Sequence, residues 1–464
     1  MKLLLPVLLI ALILPSVAWS DSTVPADSLQ THWGPMPAPS DSTMTTYEKP
    51  GTPAWQVALL VPYYVVGVPL MLIDEVFKSG LQGLDNLGLF AATSQVMAGV
   101  RDPLGNYWLP SGSIGDAKGL SLGIIGQRPD FPLPGWRTKG TLSTSTKKAT
   151  SWSLGTITNF HQGSFFELGG GARELAQANY YGTGIGTSAE DRSVYSRDIG
   201  WIGVGWHEEL NRGLELTLNA HYSTAEARQS RYEREHDIED VHAGDLPYGY
   251  DMTSSGLSPG LQFGYDNTRE TGRPDWGHRF LVFTQYFAST DGQKSEFWTN
   301  GVTLEHFVNL GRPQRTLAMK AWWTRQWDVG DDPIPFTRQL RNRGPYQLRG
   351  YSSTRFVARG MTGVTAEYRW PVWMLNEPEK SGVDAYIFGD VGQPFDEFDE
   401  LAVNNLFWSA GFGFRVLSRE SGFTVRIELA TGMEGLQARL TTDQIFQFLK
   451  AGFHGGSEPI PVMR

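Results

Sequence analysis

The sequence predicts an all-β fold: a transmembrane antiparallel β-barrel of about 16 strands, with one long loop folded inward and a short, partly helical N-terminal segment. Three observations predict it. From about residue 118 onward, segments of roughly ten to fourteen residues alternate apolar and polar side chains between turn-formers. Successive side chains of a strand point to opposite sides of a sheet, so each segment carries one apolar and one polar face. The polar faces hold Arg and Glu rather than core residues, and the connections alternate between short and long.

The clearest segment places Phe423, Val425, Ile427 and Leu429 on one face and Thr424, Arg426 and Glu428 on the other. Val364, Ala366, Tyr368 and Trp370 stand against Thr365, Glu367 and Arg369, and Phe412, Phe414 and Val416 against Gly411, Gly413 and Arg415. A soluble sandwich would bury the apolar face, with strands of about five or six residues. Strands of about ten suit a tilted crossing of a bilayer. Aromatics gather toward segment ends, as in Ala321-Trp322-Trp323-Thr324-Arg325-Gln326-Trp327, which fits interfacial girdles. Tight turns at Asn211-Arg212-Gly213 and Gly311-Arg312-Pro313 alternate with long connections near 179–192, 227–255 and 329–359. Counting back from the C-terminus gives about fifteen segments, and single-chain barrels favour even numbers, so a sixteenth strand is expected within 90–110.

The rest of the chain divides by composition. Residues 1–20 read as a signal peptide: Lys2, an apolar run from Leu3 to Leu14, then small residues at Ala18-Trp19-Ser20. The mature chain is then expected to begin near Asp21. Residues 21–53, rich in Ser, Thr, Pro and Asp, read as a disordered arm or linker. Residues 54–95 hold an apolar helical segment, interrupted by Pro62, Gly67 and Pro69. Proline inside a helix costs about 3 kcal/mol. A kinked piece beside the barrel or at a membrane surface is therefore expected rather than an inner-membrane span. Residues 96–446 form the barrel, its last strand near Gly435 to Phe446, and 447–464 a tail that covers the seam or the mouth.

The 464 residues carry a net charge of −10, which disfavours nucleic acid as a partner. Cysteine is absent, so no disulfide, thiolate chemistry or Cys-ligated metal is available. A mean hydropathy of −0.28 does not separate a soluble β protein from a barrel, because only alternate strand residues face lipid. The sequence holds neither His-Glu-x-x-His nor Gly-x-Ser-x-Gly, and no catalytic residue, cofactor or metal is assigned; the chain is not read as an enzyme. His236, Asp237, Glu239, Asp240 and His242 could hold a divalent ion but read as a solvated loop of mixed charge. The run Tyr181 to Gly186 resembles a phosphate loop but lacks a strand-to-helix unit around it.

One constellation stands apart. Arg349-Gly350-Tyr351 lies in the long irregular stretch, and the next two segments each carry a carboxylate, Glu367 and then Asp390. Two carboxylates on neighbouring strands repel, and a guanidinium on a returning loop can bridge both with its planar fork. These residues carry a resemblance to the bacterial surface antigen family, the BamA/TamA superfamily of outer-membrane assembly and translocation barrels. Its inward-loop Arg-Gly-aromatic is similar to Arg349-Gly350-Tyr351, and its Glu-aromatic-Arg to Glu367-Tyr368-Arg369. Its aromatic-x-Asp-x-Gly is similar to Phe388-Gly389-Asp390-Val391-Gly392, and its Gly-x-Gly-apolar-Arg to Gly411-Phe412-Gly413-Phe414-Arg415. The resemblance covers 340–445 well and extends weakly back to about 118. It implies a loop latch of Arg349, Gly350, Tyr351, Glu367 and Asp390, an outer-membrane location, and partners among membrane lipids and client proteins. It implies insertion or translocation of those clients. A gated or passive pore and a membrane-anchored scaffold are the alternatives. The family's periplasmic POTRA modules find no counterpart in 21–117, which puts client capture by that route in doubt. Client identity and oligomeric state are not legible.

Overall fold

The computed structural model describes residues 100–441 apart from 103–104, 116–118, 162, 212, 233–235, 269–273, 311–314, 343–346, 375–380 and 419–422. The expected signal peptide (1–20), arm (21–53), apolar helical segment (54–95) and tail (447–464) lie outside the described residues.

Among the described residues nineteen strands follow one another: β1 (Val100–Arg101), β2 (Tyr107–Gly115), β3 (Gly119–Pro129), β4 (Trp136–Ser145), β5 (Thr150–His161), β6 (Ser164–Tyr180), β7 (Ser193–Asn211), β8 (Leu214–Arg228), β9 (Thr253–Asp266), β10 (Gly277–Ser289), β11 (Glu296–Asn309), β12 (Thr316–Asp328), β13 (Leu340–Arg341), β14 (Val357–Ala358), β15 (Gly360–Met374), β16 (Ser381–Phe395), β17 (Phe407–Ser418), β18 (Phe423–Gly432) and β19 (Gly435–Thr441). Setting aside the two-residue β1, β13 and β14 leaves sixteen. Each of these pairs antiparallel with its neighbour along the chain, β12 passing directly to β15. β19 meets β2 at Leu440 and Ile114, so the run of pairings returns to its start.

The faces are inverted relative to a soluble sandwich. Arg369, Asp384, Asp390, Arg426 and Glu428 are buried, while Val364, Phe412 and Ile427 on the alternating positions are about half exposed. The polar sides therefore line an interior and the apolar sides form the outer surface, as a bilayer demands. Trp323 and Trp327 share the outward side of β12, but Trp322 turns inward and is buried, so only part of that aromatic cluster belongs to a girdle.

The first barrel strand runs 107–115, only partly within the expected 90–110. Its sequence, with Pro110 and several small residues, lacks the alternation that marks the others. Local chemistry sets the tight turns. At the β7–β8 turn Gly213 has φ +82, and a Cβ there would lie 2.0 Å from the Asp266 carbonyl oxygen. The loops 181–192, 229–252 and 329–359 all leave the same end of the barrel. There Tyr180, Tyr195, Ile238, Tyr250 and Phe336 pack together in one buried cluster. The 229–252 loop is less solvated than expected. Asp237 is fully buried, accepts the Ser230 and Glu239 N–H groups at 2.7 and 3.1 Å, and caps helix α1 (Ile238–Val241).

Candidate functional site

The long loop after β12 narrows at the β13–β14 ribbon, where Leu340 pairs with Ala358 and Arg341 with Val357. Beyond that neck a finger folds into the lumen. Asn342, buried, holds its shape. Its side chain donates to the carbonyls of Leu348 and Ser352 at 3.4 and 3.2 Å and accepts the Leu348 N–H at 3.4 Å. An Asn side chain bonding across a turn substitutes for a missing backbone partner.

Arg349 sits at the tip with no exposed surface. Its Nε donates to Asp390 Oδ2 at 3.0 Å and its Nη2 to Asp390 Oδ1 at 2.6 Å, a two-toothed pair. Nη1 donates to Glu367 Oε1 at 2.5 Å and lies 3.4 Å from Glu428 Oε1. The Arg349 N–H, Thr365 Oγ1 and Ser409 Oγ donate to the Asp390 carboxylate at 3.1, 3.1 and 2.7 Å. The guanidinium carbon lies 3.4 Å from the Phe388 ring centre. One loop cation thus engages three strands, β15, β16 and β18.

Gly350 is required by the approach of the finger to the wall. A Cβ would lie 2.7 Å from Ser409 Cβ and 2.8 Å from the Thr431 carbonyl carbon and oxygen. Tyr351 packs edge-on to Phe407 at 5.7 Å, and its hydroxyl donates to the Trp408 carbonyl at 3.0 Å while accepting the Met433 N–H at 3.3 Å. Trp322, Leu340, Leu348, Phe356 and Met361 complete this buried cluster. The five residues singled out in the sequence therefore meet at one place.

Sequence reasoning missed several others. Glu428, the third carboxylate, accepts from Tyr386 at 2.8 Å. Arg369 clasps Glu367 at 2.8 Å, and Arg415 clasps Asp384 at 2.8 Å. Their positions on polar strand faces were visible, but not that these faces converge. A single lateral rank crosses the wall in register: Asp266, Arg279, Glu305, Lys320, Thr365, Asp390 and Ser409. Charges alternate along its first four members, with Arg279 3.0 Å from Asp266 and Lys320 3.7 Å from Glu305.

The second feature is the seam. Among the described residues β19 meets β2 at Leu440 and Ile114, where the last strand returns to the first.

The sequence matches the Omp85 superfamily domain over residues 109–448. No curated protein matches it. Among solved structures, BamA from Haemophilus ducreyi lacking POTRA domains 1–3 aligns with a TM-score of 0.54 at 13% identity, over 72% of this chain and 69% of that one. CdiB from Acinetobacter baumannii aligns with a TM-score of 0.47 at 11% identity, over 72% of this chain and 59% of that one. CdiB from Escherichia coli aligns with a TM-score of 0.47 at 13% identity, over 71% of this chain and 62% of that one. The BamA alignment speaks to fold alone.

Proposed function

Because this chain belongs to the Omp85 superfamily, we propose that it is an outer-membrane barrel that assists insertion or translocation of client proteins at the seam between β2 and β19. The observation that carries this reading is the match to the Omp85 superfamily domain over residues 109–448, with the ring returning to its first strand where Leu440 of β19 meets Ile114 of β2. Strand edges with unmet N–H and C=O groups template an incoming strand by β-augmentation. Export by the N-terminal signal, contact with membrane lipids and a loop latch centred on Arg349 belong to the same reading, and it assigns no bond-making chemistry to the chain.

The test exploits the lack of cysteine. Ile114→Cys with Leu440→Cys places one thiol on each lip at partnered positions. Directly opposed antiparallel residues have Cα atoms about 4.5–5.5 Å apart, within disulfide range. Depletion of the protein should lower the outer-membrane level of a subset of barrels or secreted proteins. The oxidised variant should fail to restore them, and reduction should rescue. Full restoration by the locked protein would count against the reading.

A gated pore is the second reading, favoured by the finger that occupies the lumen and is tied to the wall through Arg349. Single-channel conductance rising on removal of the finger, with client levels unaffected, would support it.

A further inference from the structure

Loop 396–406 joins β16 to β17 at the end of the barrel from which the long loops leave. Its own hydrogen bonds fix its shape. The Glu400 carboxylate accepts the Asp396 N–H at 2.6 Å. The Glu400 carbonyl accepts the side-chain amides of Gln393 and Asn405 at 3.1 and 2.8 Å. Asp396 accepts the Arg359 N–H at 2.8 Å, at the entry to β15.

Arg325 of β12 shows which side of the wall this loop covers. Arg325 pairs with Gly360, and Gly360 with Phe395. Directly paired residues share a face of the sheet. Two residues further along β15 and β16 steps the same row of faces to Thr362 and then to Val364, which pairs with the exposed Val391, so the row lies on the outer side. A guanidinium on that side is costly at a lipid boundary unless it is paired and covered. Arg325 is 5% exposed because the loop comes down over it. Its Nη2 donates to Glu397 Oε2 at 3.1 Å, and its guanidinium carbon lies 4.4 Å from the Phe398 ring centre and 5.6 Å from that of Phe395. Gly360 leaves room for this arrangement, since a Cβ there would run into the Phe395 ring. The loop therefore lies against the outside of the rim.

Its remaining surface is apolar. Val403 is 80% exposed and Phe398 43%, although both stand in short 3-10 turns (Val403–Asn405 and Phe398–Glu400). Val391, near the end of β16, and Trp408, where β17 begins, are exposed on either side of the loop in the chain, so the apolar surface of the wall continues into it. The Glu397 carboxylate is shared between Arg325 and Arg359, so its charge is met within the protein.

We propose that loop 396–406 is a membrane-interface anchor, with Phe398 and Val403 set among lipid at the boundary between headgroups and acyl chains. Lipid is the occupant because the loop continues the outward apolar surface and shields Arg325 from that side. The proposal rests on the reading of the chain as a membrane barrel and adds the place of this loop. The absence of cysteine allows single-site labels. Val403→Cys, Ile427→Cys and Asp331→Cys each carry an environment-sensitive fluorophore. Ile427 stands on the outer face of β18, and Asp331 is exposed in the loop after β12. At 80% exposure Val403 packs against little, so its substitution leaves the fold intact, and heat-modifiable gel migration checks this. In vesicles of phosphatidylethanolamine and phosphatidylglycerol, the Val403 label should emit to the blue of the Asp331 label. It should be quenched by lipids brominated on their acyl chains and lose quenching by aqueous iodide. A Val403 label that behaves like Asp331, with Ile427 in lipid, overturns the anchor and leaves the barrel reading standing. An Ile427 label open to iodide sinks the barrel reading itself. A blue shift at Val403 that grows with protein concentration and ignores brominated lipid places a second copy on the loop, and overturns the anchor as well.

Discussion

Arg349→Ala is the sharpest perturbation of this barrel. The side chain supplies the contacts to Asp390 at 2.6 and 3.0 Å, that to Glu367 at 2.5 Å, and the nearest loop charge to Glu428 at 3.4 Å. Its removal leaves Glu367 with Arg369, and Asp390 with Thr365, Ser409 and a backbone N–H but no cation from the loop. Breaking a buried pair by deleting one partner costs about 3–5 kcal/mol. At about 1.4 kcal/mol per decade, that shifts the equilibrium for release of the finger by about 10²- to 10⁴-fold. Arg349→Lys separates charge from geometry. It keeps the cation but cannot span two carboxylates in one plane, and should lose about 1.5–3 kcal/mol. The assay is the temperature at which the detergent-solubilised barrel converts from the compact to the unfolded gel form. The expected order is wild type, then Lys, then Ala, with all three exported. Identical conversion temperatures for wild type and Arg349→Ala would refute the latch. A Lys variant indistinguishable from wild type would refute the role of the fork.

Gly350→Ala should be as disruptive as its size suggests the reverse. The added methyl meets the wall at 2.7–2.8 Å, two of the three contacts being backbone, so strain of about 1–3 kcal/mol is expected and a lowered conversion temperature should show it. In the loop between β10 and β11, burial pushes the pKa of Asp291 up against a larger combined pull from Ser289 Oγ, the Ser255 N–H and the Gln293 N–H, which hold its carboxyl below the usual range. A depressed carboxylate contributes stability that is present above its unfolded value and is lost as pH falls through the folded one. Amide protection at Ser255 and Gln293 should therefore exceed that of Asp291→Asn at pH 7 and converge with it at acid pH; a difference independent of pH would discount the carboxylate.

The sequence by itself determined what is local. Period-two alternation is written residue by residue, so the two faces of β15, β17 and β18 were legible, and with them the inward side of Glu367, Arg415 and Glu428. The long loop and its Arg349 stood out because nothing in that stretch alternates. β2 was misplaced because Pro110 and small residues erase the same signal. The 229–252 loop was read as solvated because composition cannot show that Asp237 would be buried to cap a helix. Which polar faces meet is a matter of register and closure, set by pairings between residues far apart in the chain. Only the tertiary structure could therefore add Glu428 to the Arg349 cluster and bring Leu440 beside Ile114. Each strand announces its own polarity, but which charges share one interior cluster is a property of how distant strands align.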